Sequence, residues 1–407
     1  MVITNKSVEE SQEYLLSCLQ KQPVIIVPLD QAGGLVLAKD MISSMNLPPY
    51  PKSAMDGYAV RAEDTLGADR EHPVILDVQG ELLAGEYKEY IFRPGTAVRV
   101  MTGAMVPDGY DAVIRQEDTD YGEDQVAIYT SIMSCNNYCR IGEDLKTGDM
   151  VLPKNTFLNP LAIASLAGVG VDRVPVYQPV RVAILATGSE VTNVGQKLAP
   201  GHIYNTNSPM LESAIRGHQG VEVVLSRVVP DEEKQLEDAL RYAVDIADFV
   251  ITTGGICVGK KDLLPLVLEK MEAEPVFRRA DIQPGTPTMA NMVKGKPVLS
   301  LSGNPFAALI NFDLYFWPAV SYMTNCSDYQ GEVCRAVFRG CYPQKNTHRR
   351  MIRAELRGNE VRIPVSVHSS SVIHNVTSCN CMIDLEPGRS LEDGEEVTVR
   401  IFNLRKC

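Results

Sequence analysis

From Val180 onward the chain alternates unbroken apolar runs with amphipathic ones, and that alternation leaves few folds open. Val180 to Ala186 reads as a strand buried on both faces, the kind found in parallel sheets. Ser208 to Arg216 follows as a helix and Val221 to Val229 as a strand. Asp231 to Asp245 reads as a helix, with Leu236, Leu240 and Val244 at i, i+4 and i+8 and Asp231 as its N-cap. Phe249 to Thr252 is a strand running into Gly254-Gly255. Leu263 to Met271 is a helix, Val298 to Leu301 a strand and Phe306 to Phe316 a helix. The pattern predicts a doubly wound α/β domain, whose ligand lies at the carboxyl ends of the strands.

The 407 residues are too many for one core and predict two to four domains. Ser7-Val8-Glu9-Glu10 has the form of a capping box opening a helix, with Tyr14, Leu15, Leu16 and Leu19 as its apolar face. A second helix is expected over Leu35 to Asp40. From Asp56 to about Asp144 short β-rich runs alternate with turns: Val74 to Val78, Thr96 to Val100, Asp111 to Ile114 and Val126 to Tyr129. Ser53-Ala54-Met55-Asp56-Gly57-Tyr58-Ala59-Val60, behind Pro48, Pro49 and Pro51, puts one carboxylate at a rigid turn before a strand. From about Gly331 the chain is β-rich again, over Val333 to Phe338, Met351 to Leu356, Val361 to Val367 and Glu396 to Ile401. These predict a small C-terminal β-barrel or sandwich, so the fold class is mixed and multidomain.

A formal net charge of -12 argues against nucleic acid or anionic membrane as a partner. The ten cysteines show no zinc-ribbon or C-x-x-C spacing and read as free thiols in a reducing compartment. The start lacks a basic and an apolar signal region. The longest apolar run, Phe157 to Val171, is broken by Pro160, Gly168 and Gly170, and is shorter than the ~20 residues of a membrane span. These features predict a cytoplasmic enzyme.

Three Gly-rich turns close strand ends in the α/β domain: Ala186-Thr187-Gly188-Ser189-Glu190, Thr252-Thr253-Gly254-Gly255 continuing to Asp262, and Ser302-Gly303-Asn304-Pro305. Glycine there lets backbone N–H groups approach a phosphate, and a helix N-terminus adds a favourable dipole. βα loops also use glycine for ordinary turns. Neither G-x-G-x-x-G after a strand nor G-x-x-x-x-G-K-[ST] is present, which disfavours a dinucleotide dehydrogenase and a P-loop NTPase. The carboxylates Asp56, Asp144, Glu190, Asp231 and Asp262 all sit at turns or helix starts. Beside phosphate loops they suit a hard divalent cation, Mg²⁺. Alone, each is a turn or cap residue. Thr102, on Met101-Thr102-Gly103-Ala104, adds a hydroxyl. Arg349, Arg350 and Arg353 read either as a solvated strand edge or as an oxyanion clamp.

The order of these segments resembles one family over essentially the whole chain, the MoeA-type molybdopterin molybdenumtransferases, which are similar to the E domain of gephyrin. The matching pieces are P-P-Y-P-K-S-A-M-D-G-Y-A-V (48–60), M-T-G-A-M-V-P-D-G-Y-D-A-V (101–113), R-I-G-E-D-L-K-T-G-D (140–149), L-A-T-G-S-E (185–190), I-T-T-G-G-I-C-V-G-K-K-D (251–262), I-Q-P-G-T-P-T (282–288) and L-S-G-N-P-F-A-A (301–308). The resemblance implies an α/β molybdopterin-binding domain of 1–25 with 177–325 and a linking domain of 26–55 with 145–176. It also implies an inserted β-rich module at 56–144 and a C-terminal β-barrel at 331–407. It implies a homodimer in which Asp56 acts on the partner's site.

The implied reaction inserts molybdate into adenylylated molybdopterin with Mg²⁺ and releases AMP. Asp56, Thr102, Glu190 and Asp262 are implied as catalytic. Glu190, Asp262 and Asp144 are implied as metal ligands. Thr187, Gly188, Thr253, Gly254, Gly255, Asn304, Pro305, Gln283, Thr286 and Arg350 are implied to bind substrate, with molybdate near Gln283-Pro284-Gly285-Thr286, Pro305, Arg349 or Arg350, and Ser369-Ser370-Ser371. The pathway adenylyltransferase and acceptor molybdoenzymes are implied partners. The chain departs from many members at Gln283 and Thr286, where they carry lysine, and at Ser189, where they carry aspartate. Lys260 and Lys261 stand in place of an acidic–aromatic pair. Two other readings stand beside this one: a related nucleotide-processing enzyme of the same α/β type, and a non-catalytic molybdopterin-binding scaffold.

Overall fold

The computed structural model describes residues 4–256, 263–364, 370–372 and 374–404. The chain divides into two compact units, Met1–Ala38 with Asn155–Asn159 and Arg173–Cys407, and Lys39–Lys154 with Pro160–Asp172.

The first unit contains a seven-stranded sheet. Its strands are β1 (Thr4–Lys6), β2 (Val180–Thr187), β3 (Val221–Val229), β4 (Phe249–Thr253), β5 (Glu274–Ala280), β6 (Met289–Val293) and β7 (Lys296–Leu301), in the spatial order β1-β5-β6-β7-β4-β2-β3. Strands β7, β4, β2 and β3 run parallel. β6 is antiparallel to both β5 and β7, and β1 joins β5 in parallel. The β5–β6 hairpin is absent from the sequence reading, because Pro275, Arg278 and Arg279 interrupt the apolar pattern that marks a buried strand.

Alternate residues of the parallel strands feed two separate cores, as the period of two requires. Val182, Ile184, Phe249, Ile251, Leu299 and Leu301 face one core with α1 (Val8–Cys18), α2 (Asn207–Arg216), α5 (Pro305–Asn311) and α6 (Trp317–Thr324). Ala183, Leu185, Val250 and Val298 face the other, with α3 (Glu233–Ile246) and α4 (Leu263–Lys270). Leu236, Leu240 and Val244 are buried there, as their spacing predicts.

Local differences from the sequence reading have physical causes. The capping box of α1 forms, with the Glu10 N–H donating to Ser7 Oγ and the Ser7 N–H to Glu10 Oε2. The buried face of α1 is Val8, Ser11 and Leu15, while Tyr14 stands 50% exposed. Leu35 to Asp40 is not helical: the Leu37 and Ala38 N–H groups donate to the Thr156 and Pro175 carbonyls instead. Asp231 does not cap α3, which starts at Glu233, because its carboxylate accepts the Ser189 N–H. The Phe306 helix continues through a π-helical turn, Phe312–Phe316, into α6, with Phe312 stacked on Phe316 at 4.7 Å.

A closed five-stranded barrel follows, built from Val333–Arg339, Arg349–Arg357, Glu360–Arg362, Cys381–Leu385 and Glu396–Ile401. It closes because Arg349–Arg357 pairs with both Glu360–Arg362 and Cys381–Leu385. The predicted strand over Val361 to Val367 ends at Arg362, and 365–367 lie outside the described residues. Cys381–Leu385 is missing from the sequence reading because Asp384 interrupts its apolar pattern. That carboxylate is almost wholly buried, and it accepts from Arg349 Nε at 2.6 Å and Arg400 Nε at 2.8 Å. Arg349 also reaches Glu9 of α1 at 2.8 Å, which ties the barrel to the α/β sheet's first helix.

In the second unit a five-stranded sheet runs in the order Ala112–Arg115, Gly57–Val60, Thr96–Val100, Val74–Leu82 and Gln125–Ile128. Gly57 is required: a Cβ there would lie 1.8 Å from the Ile114 carbonyl oxygen.

Burial pushes the Asp384 carboxyl up, but the two guanidinium groups outweigh it and hold it below the usual carboxylate range. Its stabilising charge is therefore present above the unfolded carboxyl's titration and is lost as pH falls through the folded one. Asp384→Asn should cost roughly 1–3 kcal/mol by removing the buried charge that two part-buried guanidinium groups share, with Glu9 left as their remaining partner. Urea unfolding at pH 7 and pH 4 checks this, with a smaller difference between variant and parent at the lower pH.

Candidate active site

The carboxyl ends of β2 and β4 and the turn after β7 border one cavity of 200 Å³. Thr187, Gly188 and Glu190 come from the turn after β2, Thr253, Gly254 and Gly255 from that after β4, and Gly303 from that after β7. Tyr204, Asn205, Thr206, Asn207 and Asp231 complete its polar lining. A larger hollow of 260 Å³ beside Gln12, Asp313 and Arg400 touches none of the glycine turns.

The glycines let these turns pass close together. A Cβ on Gly254 would lie 2.5 Å from the Thr187 carbonyl oxygen, and one on Gly188 2.9 Å from Glu190 Oε2. Several of the amides that could face a phosphate are already committed. Gly188 N–H donates to Val229 O, Gly254 N–H to Leu301 O and Asn304 N–H to Ser302 Oγ. Gly255 borders the cavity with no acceptor for its N–H among the described residues. Ser189 and Asp231 clasp each other: Ser189 N–H donates to Asp231 Oδ2 and Asp231 N–H to Ser189 Oγ, both at 3.1 Å. Serine at 189 thus has a defined structural task.

Asn207 is a site residue absent from the sequence reading. It is 6% exposed, donates Nδ2–H to the Gly303 carbonyl at 2.9 Å, and leaves its Oδ1 buried without a partner. The polar run Asn205-Thr206-Asn207-Ser208, across the start of amphipathic α2, was the available signal.

A second face adjoins this cavity through Gly303-Asn304. Asn304 Nδ2–H donates to Ser370 Oγ at 3.1 Å, and the Phe306 N–H donates to the Ser370 carbonyl. Ile282 and Gln283 pair in parallel with Arg349 and Arg350, and Arg350 Nη1 reaches Gln283 Oε1 at 3.4 Å. Thr286 spends its hydroxyl on the Ile282 carbonyl at 2.6 Å. Arg349 is committed to Asp384 and Glu9, so of the two candidate clamps Arg350 is the one left facing Gln283. Arg353 is fully buried with its guanidinium 3.9 Å over the Phe306 ring, packing the barrel against the start of α5. Pro305 is the first residue of α5.

On the second unit, Asp56 and Thr102 meet, although 46 residues separate them in sequence. The Thr102 N–H and Oγ1–H both donate to Asp56 Oδ1 at 2.7 Å. These bonds, the hydroxyl's first, hold the Asp56 carboxyl below its usual range, and the residue is half-buried. Asp144 is exposed, and its N–H donates to Leu47 O.

Among the described residues no group of three or more His, Cys, Asp or Glu is set to hold a metal. Asp262, Lys260, Lys261 and Ser369 lie outside the described residues. The donor set still suits a hard cation, because Glu190 and Asp231 line the cavity and no Lys, Arg or His does among the described residues.

Comparison with known proteins agrees with this architecture. Residues 6–170 match the MoeA N-terminal region (domain I and II), 183–322 a probable molybdopterin binding domain, and 335–402 the MoeA C-terminal region (domain IV). The chain is 33% identical over 396 residues to the molybdopterin molybdenumtransferase of Staphylococcus aureus (strain COL), covering 96% of this chain and 94% of that protein. It is 33% identical over 397 residues to the molybdopterin molybdenumtransferase of Staphylococcus epidermidis (strain RP62A), covering 97% and 94%. Its fold is similar to the crystal structure of a molybdopterin biosynthesis MoeA protein from Pyrococcus horikosii, with a TM-score of 0.85, 30% identity and coverage of 98% and 99%. Matched along nearly its whole length in both sequence and fold, the chain belongs to the molybdopterin molybdenumtransferase family.

Proposed function

We propose that this transferase of molybdenum cofactor biosynthesis inserts molybdate into adenylylated molybdopterin and releases AMP, in a Mg²⁺-dependent reaction. The observation that carries the reading is the juxtaposition on one unit of a carboxylate-lined cavity at the strand ends and a face bearing Arg350, Gln283 and Ser370. The cavity takes the adenylylated substrate, with Thr187, Gly188 and Thr253 as walls and the Gly255 N–H as a donor to a phosphate oxygen. The Arg350 face takes the tetrahedral dianion. Glu190 and Asp262, with Asp144 contributed like Asp56 by the other chain of the dimer, would hold Mg²⁺, which when bound would neutralise pyrophosphate charge and polarise the scissile phosphorus–oxygen bond. Asp56, kept ionised by Thr102, orients the ligand.

The active form is a homodimer in which one chain's Asp56 and Thr102 serve the partner's cavity. The family resemblance supports this, and it also supports the domain scheme of 1–25 with 177–325, 26–55 with 145–176, 56–144 and 331–407. The pathway adenylyltransferase supplies the substrate and acceptor molybdoenzymes take the product. No helix among the described residues is long and apolar enough to cross a membrane, which accords with a cytoplasmic location.

The reaction is tested by supplying adenylylated molybdopterin, molybdate and Mg²⁺ and measuring reconstitution of a cofactor-free molybdoenzyme. No reconstitution despite tight ligand binding would favour a scaffold instead. Asp56→Ala and Glu190→Ala should each lower turnover by about 10²-fold or more, the scale of removing one preorganised electrostatic contact, with melting temperature nearly unchanged. Mixing the two inactive variants should restore activity through mixed dimers. If both residues serve the same chain's site, mixing restores nothing. Arg350→Ala should raise the molybdate concentration needed for half-maximal rate while sparing dependence on the pterin substrate. Steady-state titration of each substrate separates the two effects.

A further inference from the structure

Asn207, the first residue of α2, has an amide whose two ends meet different surroundings. Its Nδ2–H donates to the Gly303 carbonyl at 2.9 Å. A carbonyl can only accept, so this bond fixes which end of the amide is nitrogen and which is oxygen. Oδ1 has no partner among the described residues, although the residue is only 6% exposed. Asn207 and Gly303 both border the cavity at the strand ends. Nearby polar groups of that lining are satisfied within the protein. Asn205 donates Nδ2–H to Ser208 Oγ at 3.0 Å and accepts the Ser208 N–H on Oδ1 at 3.1 Å. Thr187 donates its hydroxyl to the Thr253 carbonyl at 3.3 Å. Among the described residues, Asn207 Oδ1 is the one buried side-chain atom of this lining left without a partner. A buried acceptor in that position calls for a donor, because native structures pair nearly all such atoms.

We propose that Asn207 Oδ1 accepts a hydrogen bond from a ring amino group of the substrate, which makes Asn207 a specificity-determining residue of the cavity. The inference rests on the assignment of this cavity to the adenylylated substrate. An ionised phosphate offers only acceptors, so Asn207 meets a different part of that molecule from the Gly255 N–H. The donors available are the exocyclic amino groups of its two heteroaromatic rings, adenine and pterin. One amide then does two things. Its donor end ties the start of α2 to the turn after β7, and that tie holds the acceptor end in place, so little side-chain freedom is lost on binding. A ring with hydrogen in place of the amino group leaves the oxygen sealed without a donor, and a site built around a hydrogen bond rejects such a ligand strongly.

The test is calorimetric titration of two ligand pairs into the full-length protein: AMP against purine riboside monophosphate, and pterin against its desamino analogue. Within each pair the ligands differ by the amino group alone. In the parent, the amino ligand of one pair should bind roughly ten- to hundredfold tighter than its counterpart. The pair that shows the difference identifies the ring at Asn207 as adenine or pterin. In Asn207→Leu, and in the smaller Asn207→Ala should leucine not be accommodated, that ratio should fall to about one. A merely structural role through Gly303 would weaken both members of a pair alike and leave their ratio intact. Equal affinities within both pairs in the parent, or a ratio that persists in the variants, overturns the proposal while leaving the cavity's assignment standing. If neither AMP nor pterin binds the parent, the assignment itself fails and the role of Asn207 fails with it.

Discussion

The parallel strands β7, β4, β2 and β3 are the constraint on which the first unit depends. In β2, β4 and β7 nearly every side chain is buried on both faces, while Glu222, Ser226 and Arg227 of the edge strand β3 reach solvent, so helices must cover both faces of the inner strands. Covering both faces leaves only the strand ends for polar business. The turns after β2, β4 and β7 then lie side by side, and glycine is what lets their backbones approach within van der Waals contact. The cavity follows from the burial requirement of the strands.

The barrel is fixed to this frame by electrostatics and by packing at two separate places. Asp384 gathers Arg349 and Arg400, and Arg349 extends the link to Glu9 of α1. Arg353 lays its guanidinium over Phe306. The strand that supplies Arg349 and Arg353 also supplies Arg350, so the contacts that seat the barrel also set the position of Arg350 beside Gln283. The consecutive arginines divide by strand alternation: Arg349 is held by Asp384 and Glu9, and Arg350 faces Gln283.

Much of this was legible in the sequence, and what was not has identifiable causes. The parallel strands and α3 were readable because burial on one or both faces imposes a strict period, and Leu236, Leu240 and Val244 kept it. Asp56 and Thr102 could each be singled out as turn residues, but only folding shows that one carboxylate oxygen collects two donors from Thr102. Leu35 to Asp40 failed as a helix because the Leu37 and Ala38 N–H groups found carbonyls more than 100 residues away, which local pattern cannot register. Asp231 looked like a cap because aspartate before an apolar helix usually is one; a tertiary partner, Ser189, took its carboxylate instead. The glycine turns lie at the strand ends and border the cavity, while the commitment of the Gly188 and Gly254 amides to Val229 and Leu301 depends on tertiary hydrogen bonds that the local pattern does not carry.

Strand β1 pairs with β5, Thr4 against Arg278 and Lys6 against Ala280. During synthesis that edge has no partner until the chain has been extended well past the second unit, Lys39–Lys154 with Pro160–Asp172. Contacts of such long sequence separation form late, because closing the loop costs entropy before the pairing rewards it. The inserted unit can therefore reach its native packing on the ribosome while the N-terminal strand and helix that belong to the other unit still wait. The order of assembly runs from the inside of the sequence outward, with the first residues made among the last to find their place.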